Sequence, residues 1–255
     1  MALAADVAAV VASGLPIVSL RDIALALASP GEHELPERFV AFSCDDGTLL
    51  DWAHYQHPEF GEQRSFASIF RELLPQESRL RGGLLTAFVI ACPRARAAID
   101  AGCYNGIPLS DDNWWAEAAR EGLVAIESHG WDHVHPVLPD ALQQYGRAGD
   151  FFSVDSYPRA QQQIAAAKQV IDEVLATTGH TTRLFAYPYG HVSPYLLNEY
   201  LPQNAGELSL LGAFSTEPRF VESGCNPFAI PRLVHGDAWT TREQFAALMH
   251  KLESE

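Results

Sequence analysis

The chain has 255 residues, 47% of them hydrophobic, which suffices for one large domain, or two small ones, with a real core. Its net charge of −15 and isoelectric point near 5.0 argue against a phosphate-backbone partner, so nucleic acid is not expected. No Lys/Arg cluster suits an anionic membrane surface, and no apolar run approaches the roughly 18 residues of a spanning helix.

Short apolar runs alternate with longer helical patterns. Met1 to Val11 is rich in Ala and Val and imitates an export leader, but it lacks a basic start and Asp6 interrupts it. An amphipathic helix over Ala4–Ala12 is the expectation, and with it a cytoplasmic location. In chain order there follow a strand at Ile17–Leu20, a helix at Leu20–Leu27 and a strand at Phe39–Ser43. Next come a helix at Phe66–Leu74, a strand at Leu84–Ile90, a helix at Trp114–Glu121 and a strand at Leu123–Ile126. The pattern then gives a helix at Ala160–Thr177, strands at Leu184–Tyr187, Ser209–Phe214 and Phe228–Leu233, and a last helix at Arg242–Leu252. Ile164, Val170, Ile171 and Val174 make the stripe of the long helix, and Gly179 stops it. Strand–helix alternation of this kind indicates an α/β fold with parallel strands. No linker is evident, so residues 1–255 read as one domain, with a polar and aromatic insertion at about 50–81. Four cysteines, widely spaced and without CxxC pairs, read as free buried thiols.

Four fragments fall at strand ends. Ser43-Cys44-Asp45-Asp46-Gly47 sets adjacent carboxylates after an apolar run, and a turn at Gly47 can bring both into one cleft. His129-Gly130-Trp131-Asp132-His133 holds two imidazoles four positions apart, on one face if the segment is helical. Asp46, His129 and His133 can then form a two-histidine, one-carboxylate metal site, with Asp45 left over as a base. Asp132 can orient an imidazole or be solvated. Phe185-Ala186-Tyr187-Pro188-Tyr189-Gly190-His191 offers aromatic rings as a substrate wall, or else is a core strand ending in a turn. In Ile230-Pro231-Arg232-Leu233-Val234-His235, His235 can act as an acid and Arg232 can pair with a carboxylate such as Asp45.

Taken in this order, the fragments resemble the polysaccharide deacetylase superfamily (carbohydrate esterase family 4). The family's first motif looks like T-F-D-D-G and its second like H-[ST]-x-x-H; FAYPYG is similar to its third-motif region, and His235 falls in the place of its last. The resemblance runs from about Val40 to His235. It implies a distorted (β/α)7-type barrel. It also implies a metal held by Asp46, His129 and His133, Asp45 as base and His235 as acid; Tyr187, Pro188, Tyr189 and Trp131 are the candidate substrate-binding residues. The ion would be Zn²⁺ or a similar one; the same donors suit Co²⁺, Ni²⁺ and Fe²⁺. Cys44 and Gly130 depart from the family pattern, its third-motif Arg is not evident, and Arg232 is the substitute candidate.

The expected activity is deacylation of an N-acyl sugar, in a cytoplasmic step of bacterial surface polysaccharide assembly such as O-antigen biosynthesis. An allantoinase-like hydrolase of small amides shares the fold. A catalytically silent, metal-containing sugar-binding module is another reading. A non-haem Fe(II) oxygenase is disfavoured, because its carboxylate usually lies two residues after a His.

Overall fold

The computed structural model describes residues 2–74 and 83–254, so the end of the expected insertion lies outside the described residues. Strand β1 (Phe42–Cys44) is followed by a small antiparallel hairpin, β2 (Tyr55–His57) and β3 (Gly61–Gln63), within that insertion. Then come β4 (Leu85–Val89), β5 (Val124–Ser128), β6 (Leu184–Ala186) and β7 (Gly212–Phe214). The long-range sheet is wholly parallel, in the order β1-β4-β5-β6-β7. Single parallel bridges, Ile17 to Val40 and Phe214 to Ile230, add a chain crossing at each edge. This curled, open array is an α/β half-barrel, with helices packed outside it.

The helices are α1 (Ala2–Ser13), α2 (Leu20–Ala28), α3 (Phe66–Leu73), α4 (Pro93–Cys103), α5 (Trp115–Glu121), α6 (Tyr157–Ala160), α7 (Ala167–Leu175), α8 (Leu201–Leu208) and α9 (Arg242–Ser254). Strands β4 and β5 are buried at every position, because helices cover one face and the barrel interior the other. Their side chains join Phe70, Trp114, Trp115 and Ile171 in the main core.

Several expected elements differ. Ile17–Leu20 is a single bridge rather than a strand, because Ser19 is taken by the start of α2. The Ser19 hydroxyl accepts from the Asp22 N–H (3.1 Å), and the Ser19 N–H donates to the Asp22 carboxylate (3.3 Å). Ser209 closes α8 in a left-handed conformation (φ 56), so β7 begins only at Gly212. Phe228–Leu233 pairs only at Ile230, since Pro227 and Pro231 on either side cannot donate to a ladder. Helix α4 escaped the pattern because its apolar stripe is sparse; Pro93 opens it, and buried Arg96 is held by the Ser110 carbonyl (3.0 Å) and the Asp112 carboxylate (2.5 Å). The long helix is interrupted by a π-helical segment, Gln161–Ala166, between α6 and α7.

A buried charge ties the strands together. Glu127, fully buried on β5, accepts from the Arg21 guanidinium (2.7 Å) and from the backbone N–H groups of Arg183 (2.7 Å) and Leu184 (2.8 Å). Glu127→Leu takes from Arg21 its carboxylate, leaving it the His180 ring (2.8 Å) and the Thr181 carbonyl (2.6 Å), and leaves two buried N–H groups unbonded. It should cost about 3–5 kcal/mol, read as a lower midpoint in urea unfolding.

Candidate metal centre and base

The carboxyl ends of β1, β5 and β6 and the segment after Ile230 supply the site, at the face where parallel α/β strands present chemistry. Asp46 and Gly47 both adopt left-handed backbone (φ 72 and 70), which turns the chain sharply after Asp45. Gly47 is required: a Cβ there would stand 2.5 Å from Val89 Cγ1 and 2.9 Å from Val89 Cα. Asp46, which must share the strained region, is one of the few residue types that tolerates it.

His129 and His133 do not lie on a helix, as their spacing suggested. They sit on an irregular loop after β5, with Gly130 (φ 87), His133 (φ 60) and Val134 (φ 43) left-handed. Asp132 does not orient an imidazole either. Its buried carboxylate accepts from the Val134 N–H (2.9 Å) and from Gln163 Nε2 (2.7 Å). Gln163, fully buried on the π-helical segment, also accepts from the Trp131 N–H through Oε1 (3.0 Å). One amide thus clamps the whole ligand loop. It also accounts for Gly130: a Cβ there would meet Gln163 Oε1 at 3.2 Å, on backbone that already favours glycine. The departure from the family's hydroxyl residue is a local packing solution.

The loop aims both imidazoles at one point. Asp46 Oδ1 lies 3.5 Å from His133 Nε2 and 3.7 Å from His129 Nε2, and one donor atom from each of the three residues falls within 4.8 Å of the others. His129 Nδ1 is 2.9 Å from the Ala186 carbonyl, to which it donates, so the ring is fixed with Nε2 pointing inward. Burial, then the neighbouring His129 and His135, hold the His133 imidazole well below its usual pKa, which keeps it neutral. Burial pushes the Asp46 carboxyl up, against the pull of His129. Two ring nitrogens aimed at one point and a carboxylate beside them fit a divalent cation in chemistry and arrangement.

Asp45 is arranged differently. Arg232 Nη1 and Nη2 donate to its two oxygens at 2.7 and 2.8 Å, a bidentate clamp. Arg232 is itself fixed by the Ser215 carbonyl (3.1 Å), the Ser43 hydroxyl (3.0 Å) and the Phe88 ring (5.1 Å). Burial alone would raise the Asp45 carboxyl, but Arg232 and then His129 outweigh it and lower it to about 2. Asp45 Oδ2 remains 3.8 Å from His129 Nε2, beside the cluster. Behind it, burial raises the Cys44 thiol, so this residue stays neutral.

The remaining sequence candidates divide. The Tyr189 ring stands edge-on to His133 at 4.4 Å and is part exposed, whereas Trp131 is half-buried against the core. Tyr187 and Pro188 offer a ligand no surface: both are buried, and the Tyr187 hydroxyl donates to the Phe228 carbonyl (2.9 Å). A strand that enters the core must bury its aromatic residues, and only the turn beyond it frees Tyr189. His235 is exposed, edge-on to Trp239 at 5.6 Å, and has no hydrogen bond or ion pair with Asp45, Asp46, His129 or His133 among the described residues. Gln163 and the Ala186 carbonyl were missed by the sequence reading; the one available signal was a glutamine on the apolar side of a helical pattern.

A polysaccharide deacetylase family model matches residues 86–203, from β4 into α8. Over those residues the chain is similar to the polysaccharide deacetylase family. The match includes both metal-site histidines, Gln163 and the Tyr187–Gly190 turn; Asp45, Asp46 and Arg232 lie outside it. Solved deacetylase folds extend the likeness to nearly the whole chain. IcaB from Ammonifex degensii shares 18% identity at a TM-score of 0.65, over 99% of this chain and 88% of its own. Streptococcus pyogenes deacetylase PplD, in complex with acetate, shares 14% at 0.58, over 98% and 85%. The deacetylase domain of BpsB from Bordetella bronchiseptica shares 19% at 0.55, over 88% and 80%. At these identities the likeness is one of fold. No curated protein matches the chain in sequence.

Proposed function

We propose that the chain is a metal-dependent N-deacetylase of an N-acyl sugar. The observation that carries this is Asp45, kept ionised by Arg232 and standing beside the Asp46–His129–His133 cluster while belonging to a different hydrogen-bond system. The family match supports amide hydrolysis of an acetylated glycan, and Zn²⁺ is the proposed ion. When bound, such an ion polarises the amide carbonyl and lowers the pKa of water from 15.7 toward about 7.

The residues divide the rest of the work. Asp45 is anionic throughout the neutral range and accepts the proton of the attacking water. Arg232 fixes the carboxylate plane toward the cluster. The departing amine needs a proton, since an amide anion is a poor leaving group. With His235 held at Trp239, we assign that return to Asp45, which carries the proton after the attack.

The proposal extends to the substrate: a cytoplasmic precursor of bacterial surface polysaccharide such as O-antigen, carried on lipid or nucleotide. Zinc-loaded protein should release acetate from an acetylated sugar, and removal of the metal by chelation should stop it. Bound zinc with no release from any acylated sugar would overturn the deacetylase reading in favour of a silent binding module. Release from polymeric N-acetylglucosamine alone would overturn the precursor.

A further inference from the structure

The cluster is the inner end of a chain of aromatic rings that runs out to solvent. Tyr189 packs on His133 at 4.4 Å, His191 lies 5.4 Å from Tyr189, and Phe152 stacks on His191 at 4.4 Å with planes only 15° apart. Each step is comparable with the width of a pyranose ring. Phe152 is 49% exposed and Tyr189 38%, which makes them two of the few large apolar side chains that the described surface leaves open. Phe152 shows His191 one face, so the opposite face is turned outward.

The local sequence holds these rings in place. Tyr189 is left-handed (φ 58) and is followed by Gly190 (φ 67), where a Cβ would come within 2.9 Å of Thr216 Cβ. The turn that throws Tyr189 outward therefore rests on the residue after it. Phe152 stands on a single helical turn, Phe151–Ser153. Its neighbour Phe151 is fully buried against Phe185 (6.0 Å) and Tyr187 (6.5 Å) and anchors that turn. Asp150 caps the turn by accepting from the Phe152 N–H (3.0 Å). The same carboxylate faces His191 Nδ1 at 4.0 Å, a buried ring nitrogen with no hydrogen bond. An exposed aromatic face with this much support is not a by-product of core packing.

Resting on the deacetylase reading above, we propose that Phe152, backed by His191, is a stacking subsite for a sugar ring next to the one whose acyl group is removed. The substrate is accordingly a glycan of at least two residues rather than a single sugar. The C–H face of a pyranose is apolar and matches an aromatic face. The shelf is an apolar face, and the cation beside it, Arg147, is already paired with Asp150 (2.6 Å), so nothing there is free to hold a pyrophosphate. Among the precursors considered, the shelf favours a lipid-linked glycan chain over a nucleotide sugar.

Calorimetry with zinc-loaded protein tests this, using N-acetylglucosamine, its β-linked trimer and uridine diphosphate-N-acetylglucosamine as probes. The trimer should bind more tightly than the monomer. Phe152→Leu, which keeps an apolar side chain but removes the flat face, should reduce the trimer-to-monomer affinity ratio roughly tenfold, the scale of one good aromatic contact. Phe152→Tyr should restore it. Equal affinity for trimer and monomer, or a ratio indifferent to Phe152→Leu, overturns the subsite; so does a nucleotide sugar that binds best and is weakened most by that change. Acetate release measured in parallel keeps the two proposals separate. Length-dependent binding without release sinks the deacetylase and spares the shelf, and release with no length dependence does the reverse.

Discussion

Asp45→Asn is expected to lower acetate release by about 10²- to 10⁴-fold, the usual weight of a positioned base, while zinc content stays at the wild-type level. Asparagine keeps the size and one acceptor for Arg232, so the loop after β1 retains its course. What disappears is the negative charge that Arg232 and His129 hold in place. Metal analysis beside a progress curve checks both halves, and a variant that loses its zinc shows that Asp45 is a ligand instead of the base. The same carboxyl has a stability consequence. Its folded pKa, about 2, lies below that of the unfolded chain, so its contribution is complete above the ordinary carboxylate range and is lost as pH falls toward 2. The Asn variant should show a shallower acid unfolding between roughly pH 4 and 2, because the wild-type protein alone has this pair to lose.

What the sequence revealed of this site, and what it hid, follow from the range of the forces involved. Asp-Asp-Gly announces a sharp turn because both the carboxylates and the glycine act locally, and Gly47 is forced by nothing further away than Val89. Strands β4, β5 and β6 were visible as apolar runs since burial on both faces leaves little choice of residue. The edges were not visible: at Ile17 and Ile230 a single bridge does the work of a strand, and the neighbouring Ser19 and Pro231 answer to helix capping and turn geometry. The histidine spacing suggested a helical face, but the ligand loop is shaped by Asp132 and by Gln163, which lies 31 residues further on. No periodicity carries a contact of that kind. The aromatic wall was half legible. FAYPYG puts rings in the right neighbourhood, but which ring is buried depends on where β6 ends, and Phe152 comes from a turn that no motif marks.

Asp46→Asn should have the opposite signature to its neighbour. Both replacements are isosteric, both fall in one turn, and asparagine accepts the left-handed backbone that Asp46 holds (φ 72), so misfolding does not separate them. Yet Asp46 contributes the one carboxylate among the three clustered donors, and without it two imidazoles face a cation alone. Zinc affinity should fall by well over the roughly 100-fold that loss of an outer partner can cost, with acetate release falling in step. His129→Ala belongs to the same class, because the Ala186 carbonyl that orients its ring has no other means of presenting a nitrogen. Excess zinc should partly restore turnover in Asp46→Asn but not in Asp45→Asn, since mass action refills a weakened site and cannot supply a base. Equal rescue of both, or of neither, would break the division of labour between the two adjacent carboxylates on which the mechanism rests.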